Sequence, residues 1–267
     1  MRQKYKLTSE TKTFGSHTLY RIQAVKTFET LIRTIHAGEY GGWVESEKNL
    51  SQTGGCWIFD DAIVMDNAQV YGNAFVNIRA RIFNDSQVYE NARIGGDARV
   101  YGSAQVYGDA QVCGFAQVCG YAQVCGYAFI ADYARVYGSA QVYGGAQVYG
   151  GAFIADCARV YGSAQVYGNA QISGGAHVRG NANIVQNGDI RRSTDFLVIG
   201  PIGSRNGDTT FYRTANNSIH VVCGCFAGSI DKFLAAAKKN YGDNHHGKMY
   251  KMAAELARAQ ILEGNKE

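Results

Sequence analysis

From Gly203 to Thr210 the chain reads Gly-Ser-Arg-Asn-Gly-Asp-Thr-Thr, a glycine-bounded turn that carries the groups needed to hold an anion. The turn's backbone N–H groups, the hydroxyls of Ser204, Thr209 and Thr210, and the guanidinium of Arg205 can converge on a phosphate or carboxylate. The plainer alternative is a turn leading into a hairpin, with its hydroxyls used on neighbouring strands. His220, further along the same segment, joins them as a binding candidate. Cys223, Cys225, His245 and His246 are all of types that ligate zinc. However, Cys-x-Cys is not a common structural-zinc spacing and adjacent histidines rarely share one ion, so no metal site is expected. His177 stands alone in an outward position with no orienting carboxylate in view, a pattern that suits a surface substitution better than a general base. No catalytic residue is assigned, and no cofactor is expected.

Any such site depends on elements set by the middle of the chain. Residues 56–193 form 23 consecutive hexads of the type Ala-Gln-Val-Tyr-Gly-Asn, without insertion or deletion. The valine position is Val or Ile in all 23, and the alanine position departs only at Cys56, Ser86 and Gly188, so one buried column runs through the whole repeat. Alternation within Ala-Gln-Val-Tyr predicts a short strand, with Ala and Val inward and Gln and Tyr outward. Gly follows in 14 hexads and Asp or Asn in most others, which predicts a corner in the left-handed region. One hexad cannot bury its own apolar side, so successive turns must stack. Gly does not recur every third residue and Pro occurs once, which excludes collagen.

These residues resemble the hexapeptide-repeat left-handed β-helix family, including the YdcK-like solenoid proteins of bacteria and phages. The resemblance implies a mainly β fold: a single-stranded left-handed β-helix of about 7⅔ coils of 18 residues, three hexads to a coil. The domain reading is a β cap over 1–55, the helix over 56–193 and an α+β module over 194–267. The N-terminal segment around Gly41-Gly42-Trp43-Val44-Glu45 is similar to that of the YdcK-like proteins. The C-terminal features Gly200–Arg205, Cys223-Gly224-Cys225-Phe226 and His245-His246 resemble modules that end phage and prophage repeat proteins. The resemblance implies a homotrimer and, among alternatives, an acyl-CoA-dependent acyltransferase. Here no loop interrupts a hexad, and His177 is the only repeat histidine.

The C-terminal segment predicts strands at Phe196–Ile199, Thr209–Arg213 and Ile219–Cys223. A helix should run from Ser229 to about Tyr241, stopped by Gly242, with a second over about 248–262 placing Tyr250, Ala254, Ala257 and Ile261 on one face. No apolar run is long enough to span a bilayer and the N-terminus lacks a signal-peptide core, so a cytoplasmic protein without membrane partners is expected. Seven cysteines, an odd number, fit a reducing compartment. Lys is absent from the repeat, which makes it a poor track for nucleic acid. Residues 18 apart should lie above one another, so Tyr71, Tyr89, Tyr107, Tyr143 and Tyr161 form an aromatic ladder. That ladder is an interface candidate, although tyrosine's preference for strands explains it as well. The functional expectation is a non-catalytic binding or scaffold protein, phage- or prophage-encoded. It would act on a host component by inhibiting a host protein or sequestering a small nucleotide signal. A virion or filament structural role is the second alternative to the acyltransferase.

Overall fold

The computed structural model describes residues 3–264. The chain divides into two compact units, Met1–Gly145 and Ala146–Glu267. Both carry β-solenoid turns, about eight in total, and the protein is mainly β.

In the first unit, β1 (Tyr5–Phe14) and β2 (His17–Ala24) form an antiparallel hairpin, and β3 (Phe28–Glu29) and β4 (Thr34–Ile35) form a smaller one. β5 (Tyr40–Val44) is antiparallel to β2 on one edge. On its other edge it is parallel to the first repeat rungs, pairing Trp43 with Ile63 and Val44 with Val64. Leu50 then bridges to Val70. The inward column thus begins in the cap, with Val44 and Leu50 spaced as in a hexad. Two extra residues in the stretch before Cys56 break the phase, and a buried lysine closes the gap. Lys4 Nζ donates to the carbonyls of Cys56 (2.9 Å), Gly54 (3.3 Å) and Thr53 (3.4 Å). Burial pulls this ammonium below the ordinary lysine range, with the adjacent Cys56 thiol opposing.

Each rung of the repeat is a two-residue strand at the second and third hexad positions. Gln87–Val88, for example, lies in register with Gln105–Val106 one coil on. Gln87 N donates to Ala104 O at 2.9 Å and Tyr89 N to Val106 O at 3.0 Å, so within each unit a coil is bonded to the next. The strands are shorter than the four residues that alternation predicts. The N–H of the alanine position turns back to the preceding hexad, as in Ala92 N to Tyr89 O at 3.3 Å, which assigns Ala to the corner. The inward Ala and Val/Ile side chains of the coils are almost all completely buried. Each buried Val or Ile contributes about 1.5–3 kcal/mol, which is why unbroken β-branched occupancy can carry a fold this poor in other core residues.

In the second unit the last coils run into a four-stranded antiparallel sheet, 196–202, 207–213, 219–223 and 226–229, followed by α1 (Ile230–Tyr241) and α2 (His245–Arg258). Strand 226–229 is an element that the sequence pattern did not predict. Ser229 caps α1, Gly242 at φ 55° stops it, and Asn244 caps α2 three residues earlier than the periodicity alone suggests. Strand 207–213 closes the end of the solenoid. The Tyr212 hydroxyl donates to Val185 O (3.0 Å) and accepts from Val185 N (3.3 Å), and Thr210 Oγ1 accepts from Asn183 N (3.1 Å). These contacts satisfy backbone groups that an open last coil would leave bare. The exit turn is held by Asp195, which is 1% exposed and accepts from Arg191 N, Arg192 N and Arg213 Nε at 2.8–3.0 Å. A buried carboxylate is stable only with such complete pairing.

Candidate functional site

The module sheet has two faces, and strand alternation decides which candidate residues share one. Phe211, Ile219 and Val221 point to the helices, where they pack with Phe233, Tyr250 and Ala254. Thr209 and Cys223 lie on this face, joined by a 3.1 Å hydrogen bond from Thr209 Oγ1 to Cys223 Sγ. Thr210, Tyr212 and His220 take the opposite face, toward the last coil, where the His220 ring tilts against Tyr212 with centroids 5.3 Å apart. The five binding candidates are therefore not one cluster. Ser204 and Arg205 are exposed at a turn, Thr209 is buried beneath it, and Thr210 and His220 belong to the seam with the solenoid. Burial holds His220 below the usual histidine range, which keeps it neutral.

Ser204, Arg205 and Cys223 open onto a cavity of about 280 Å³ between the sheet and the helices. Its walls include Phe226, Tyr241 and Tyr250. The Ser204 hydroxyl is 2.8 Å from that of Tyr241, which ties the 203–206 turn to α1. Gly203, at φ 74°, allows the turn to approach α2: a Cβ there would overlap the Tyr250 hydroxyl. Tyr250 sits 3.9 Å from Cys223 Sγ, and burial together with that thiol pushes its hydroxyl up to about 12. The phenol is thus protonated at neutral pH and can donate a hydrogen bond into the cleft. Among the described residues no ion pair involves Arg205, so its guanidinium is free for a ligand. The small cleft thus has largely aromatic walls and one side chain of each charge, Arg205 and Asp208, the carboxylate of Asp208 being held by Asn181 Nδ2 at 2.7 Å.

The other candidates are placed differently. Cys223 and Cys225 do not gather with His245 and His246 into any ligand set among the described residues. His177 borders a shallow groove with Arg179 and Ser193, and no ion pair among the described residues includes it. In the ladder, the rings of Tyr71, Tyr89 and Tyr107 stack at 4.9 Å with planes within 2°, and each is half-buried by its neighbours. Tyr143 and Tyr161 occupy the corresponding hexad position and are also half-buried. Cys125 continues the first unit's ladder: its thiol bonds Tyr107, whose hydroxyl is pushed up to about 12 by that bond and by burial. The most exposed aromatics of the repeat are elsewhere, in the last hexad position: Phe115, Tyr121, Tyr127 and Tyr133. That run is visible in the sequence as four successive hexads in which an aromatic replaces the usual Asn, Ser or Asp.

Residues 92–108 and 164–180 match the family model described as YdcK Beta solenoid repeat. Each segment is about one coil of the solenoid, with three rungs in three different sheets, and there is one such segment in each unit. The chain is a β-solenoid repeat protein. No curated protein matches this solenoid protein. No helix among its described residues is long and apolar enough to cross a membrane.

Proposed function

We propose that this solenoid protein is a binding scaffold rather than an enzyme. Its working site is the C-terminal cleft, and its ligand is a small anionic molecule with an aromatic ring, of the nucleotide class. The observation that carries this reading is the cleft of about 280 Å³, walled by Phe226 and Tyr241 with unpaired Arg205 at its mouth. A ring can stack on the aromatic side chains while the guanidinium takes a phosphate bidentately. The cleft is lined by the Cys223 and Cys225 thiols and the Asp208 carboxylate, but by no histidine that would serve a thiol as its base, which supports binding over catalysis. The repeat supplies stacked coils that end in this module and, in the same proposal, assembles three chains. In the same proposal the protein acts in a host cytoplasm on a host component by holding a nucleotide signal, a reading supported by the resemblance of both ends to phage and prophage repeat proteins.

The test is calorimetric titration of the full chain with a panel of mono- and dinucleotides. One of them should bind in the micromolar range, and Arg205→Ala should weaken it roughly 10–100-fold, the loss of one charge-assisted contact of about 1.5–3 kcal/mol. An unchanged affinity in the variant, or no binding across the panel, overturns the proposal.

A further inference from the structure

We propose that His17, Glu45 and Asp66 form a site for a divalent first-row transition-metal ion that fastens the N-terminal hairpin to the first coil. His17 opens β2, Glu45 follows β5, and Asp66 is a corner residue of the second hexad at φ 56°. Three segments far apart in sequence thus bring one imidazole and two carboxylates together. One ligand atom from each lies within 4.8 Å of the others. Glu45 Oε1 is 3.0 Å and Asp66 Oδ1 3.7 Å from His17 Nδ1. An ion bound about 2.1 Å from each ligand requires ligand separations of roughly 3.0–3.4 Å, so small side-chain shifts suffice.

The remaining carboxylate oxygens are already anchored. Glu45 Oε2 accepts from Asp66 N at 2.7 Å, and Asp66 Oδ2 accepts from Asn84 N at 2.9 Å and from Asn84 Nδ2 at 3.2 Å. Such outer bonds orient ligands and are the usual companions of metal-binding carboxylates. Charge favours the exchange. A protonated imidazole between two carboxylates leaves one net negative charge, whereas a divalent ion with neutral imidazole leaves none. The mixed nitrogen and oxygen set suits Zn²⁺, Co²⁺ or Mn²⁺ better than Ca²⁺ or Mg²⁺. The three side chains are only partly buried, at 25–33% exposure, which leaves an approach for the ion and a position for water.

The test uses full-length protein stripped with chelator and titrated with Co²⁺, followed by calorimetry and visible absorption. The expected result is one equivalent per chain, an N/O-type spectrum lacking the thiolate charge-transfer band, and a raised melting temperature. Asp66→Asn, which keeps an acceptor for Asn84 N, should weaken binding more than about tenfold. His17→Ala should abolish it. Binding that is unaltered in both variants, a thiolate band showing capture by cysteines instead, or no saturable binding would each overturn the proposal.

Discussion

Gly126 offers a quantitative test of how the solenoid corners work. It has φ 66°, and a Cβ there would lie 3.0 Å from Gly144 N and 3.1 Å from Gly144 O in the coil above. Several acidic corner residues compensate in a consistent way. Glu90 Oε2 accepts from Gly108 N at 2.8 Å, Asp156 Oδ2 from Gly174 N at 2.9 Å, and Asp60 Oδ2 from Ile78 N at 3.0 Å. An acidic side chain in the left-handed region thus bonds the corner N–H one coil on, which offsets its backbone strain. Gly126→Ala should cost about 1–2 kcal/mol for the left-handed conformation, with the crowding added. Gly126→Asp carries the same strain but gains a charge-assisted bond to Gly144 N worth about 1–2 kcal/mol, so it should end within about 1 kcal/mol of the parent. For a chain this size a kcal/mol shifts the midpoint by roughly 2–4 °C, so Ala should lower it by about 2–8 °C and Asp by no more than about 4 °C. Scanning calorimetry of the three proteins decides the matter. Because a solenoid need not unfold in one step, the quantity compared is the midpoint rather than an extrapolated free energy. An Asp variant as unstable as the Ala variant refutes the reasoning.

Three further predictions concern the second unit's seam and one exception in the repeat. Tyr212→Phe removes both hydroxyl bonds to Val185 and strands two buried backbone groups, so it should cost about 1–3 kcal/mol in denaturant titration. Burial lowers the His220 pKa, so as pH falls below the ordinary value of 6.5 the unfolded chain takes up the proton first. The stabilising effect of a neutral His220 is complete above that value and lost as pH falls through the lowered pKa. Melting temperature should therefore drop with acid in the parent and less steeply in His220→Phe. Ser86 fills an alanine position and donates to Phe83 O at 2.8 Å and Val100 O at 3.2 Å, yet Val100 O already accepts from Phe83 N. Ser86→Ala should therefore cost about 0.5–1.5 kcal/mol, since Val100 O keeps a donor while the half-buried Phe83 loses the one to its carbonyl.

The solenoid was legible because each hexad repeats one physical decision, two inward residues and a tight corner, so 23 copies leave no ambiguity of register. What alternation could not supply was the length of each strand, which the backward bond from Ala shortens, or the phase break that Lys4 fills. The module's helices were legible from caps and periodicity, and Ser229, Gly242, Tyr250 and Ile261 act as their types suggest. The site was only partly legible. Ser204 and Arg205 do border a cleft, but adjacent Thr209 and Thr210 point to opposite faces of one strand, an outcome that period two dictates once the strand is assigned. His17, Glu45 and Asp66 carried no sequence signal, because their meeting depends on β5 pairing with the first rungs.

Native mass measurement of the full chain, purified without denaturation, tests the central claim most directly. A binding scaffold with an occupied C-terminal cleft should appear as a trimer with reproducible extra mass in the nucleotide range. The extra mass should vanish in Ala236→Trp, which fills the cleft, while assembly is kept. A parent protein of bare mass, or extra mass that survives in Ala236→Trp, would contradict it.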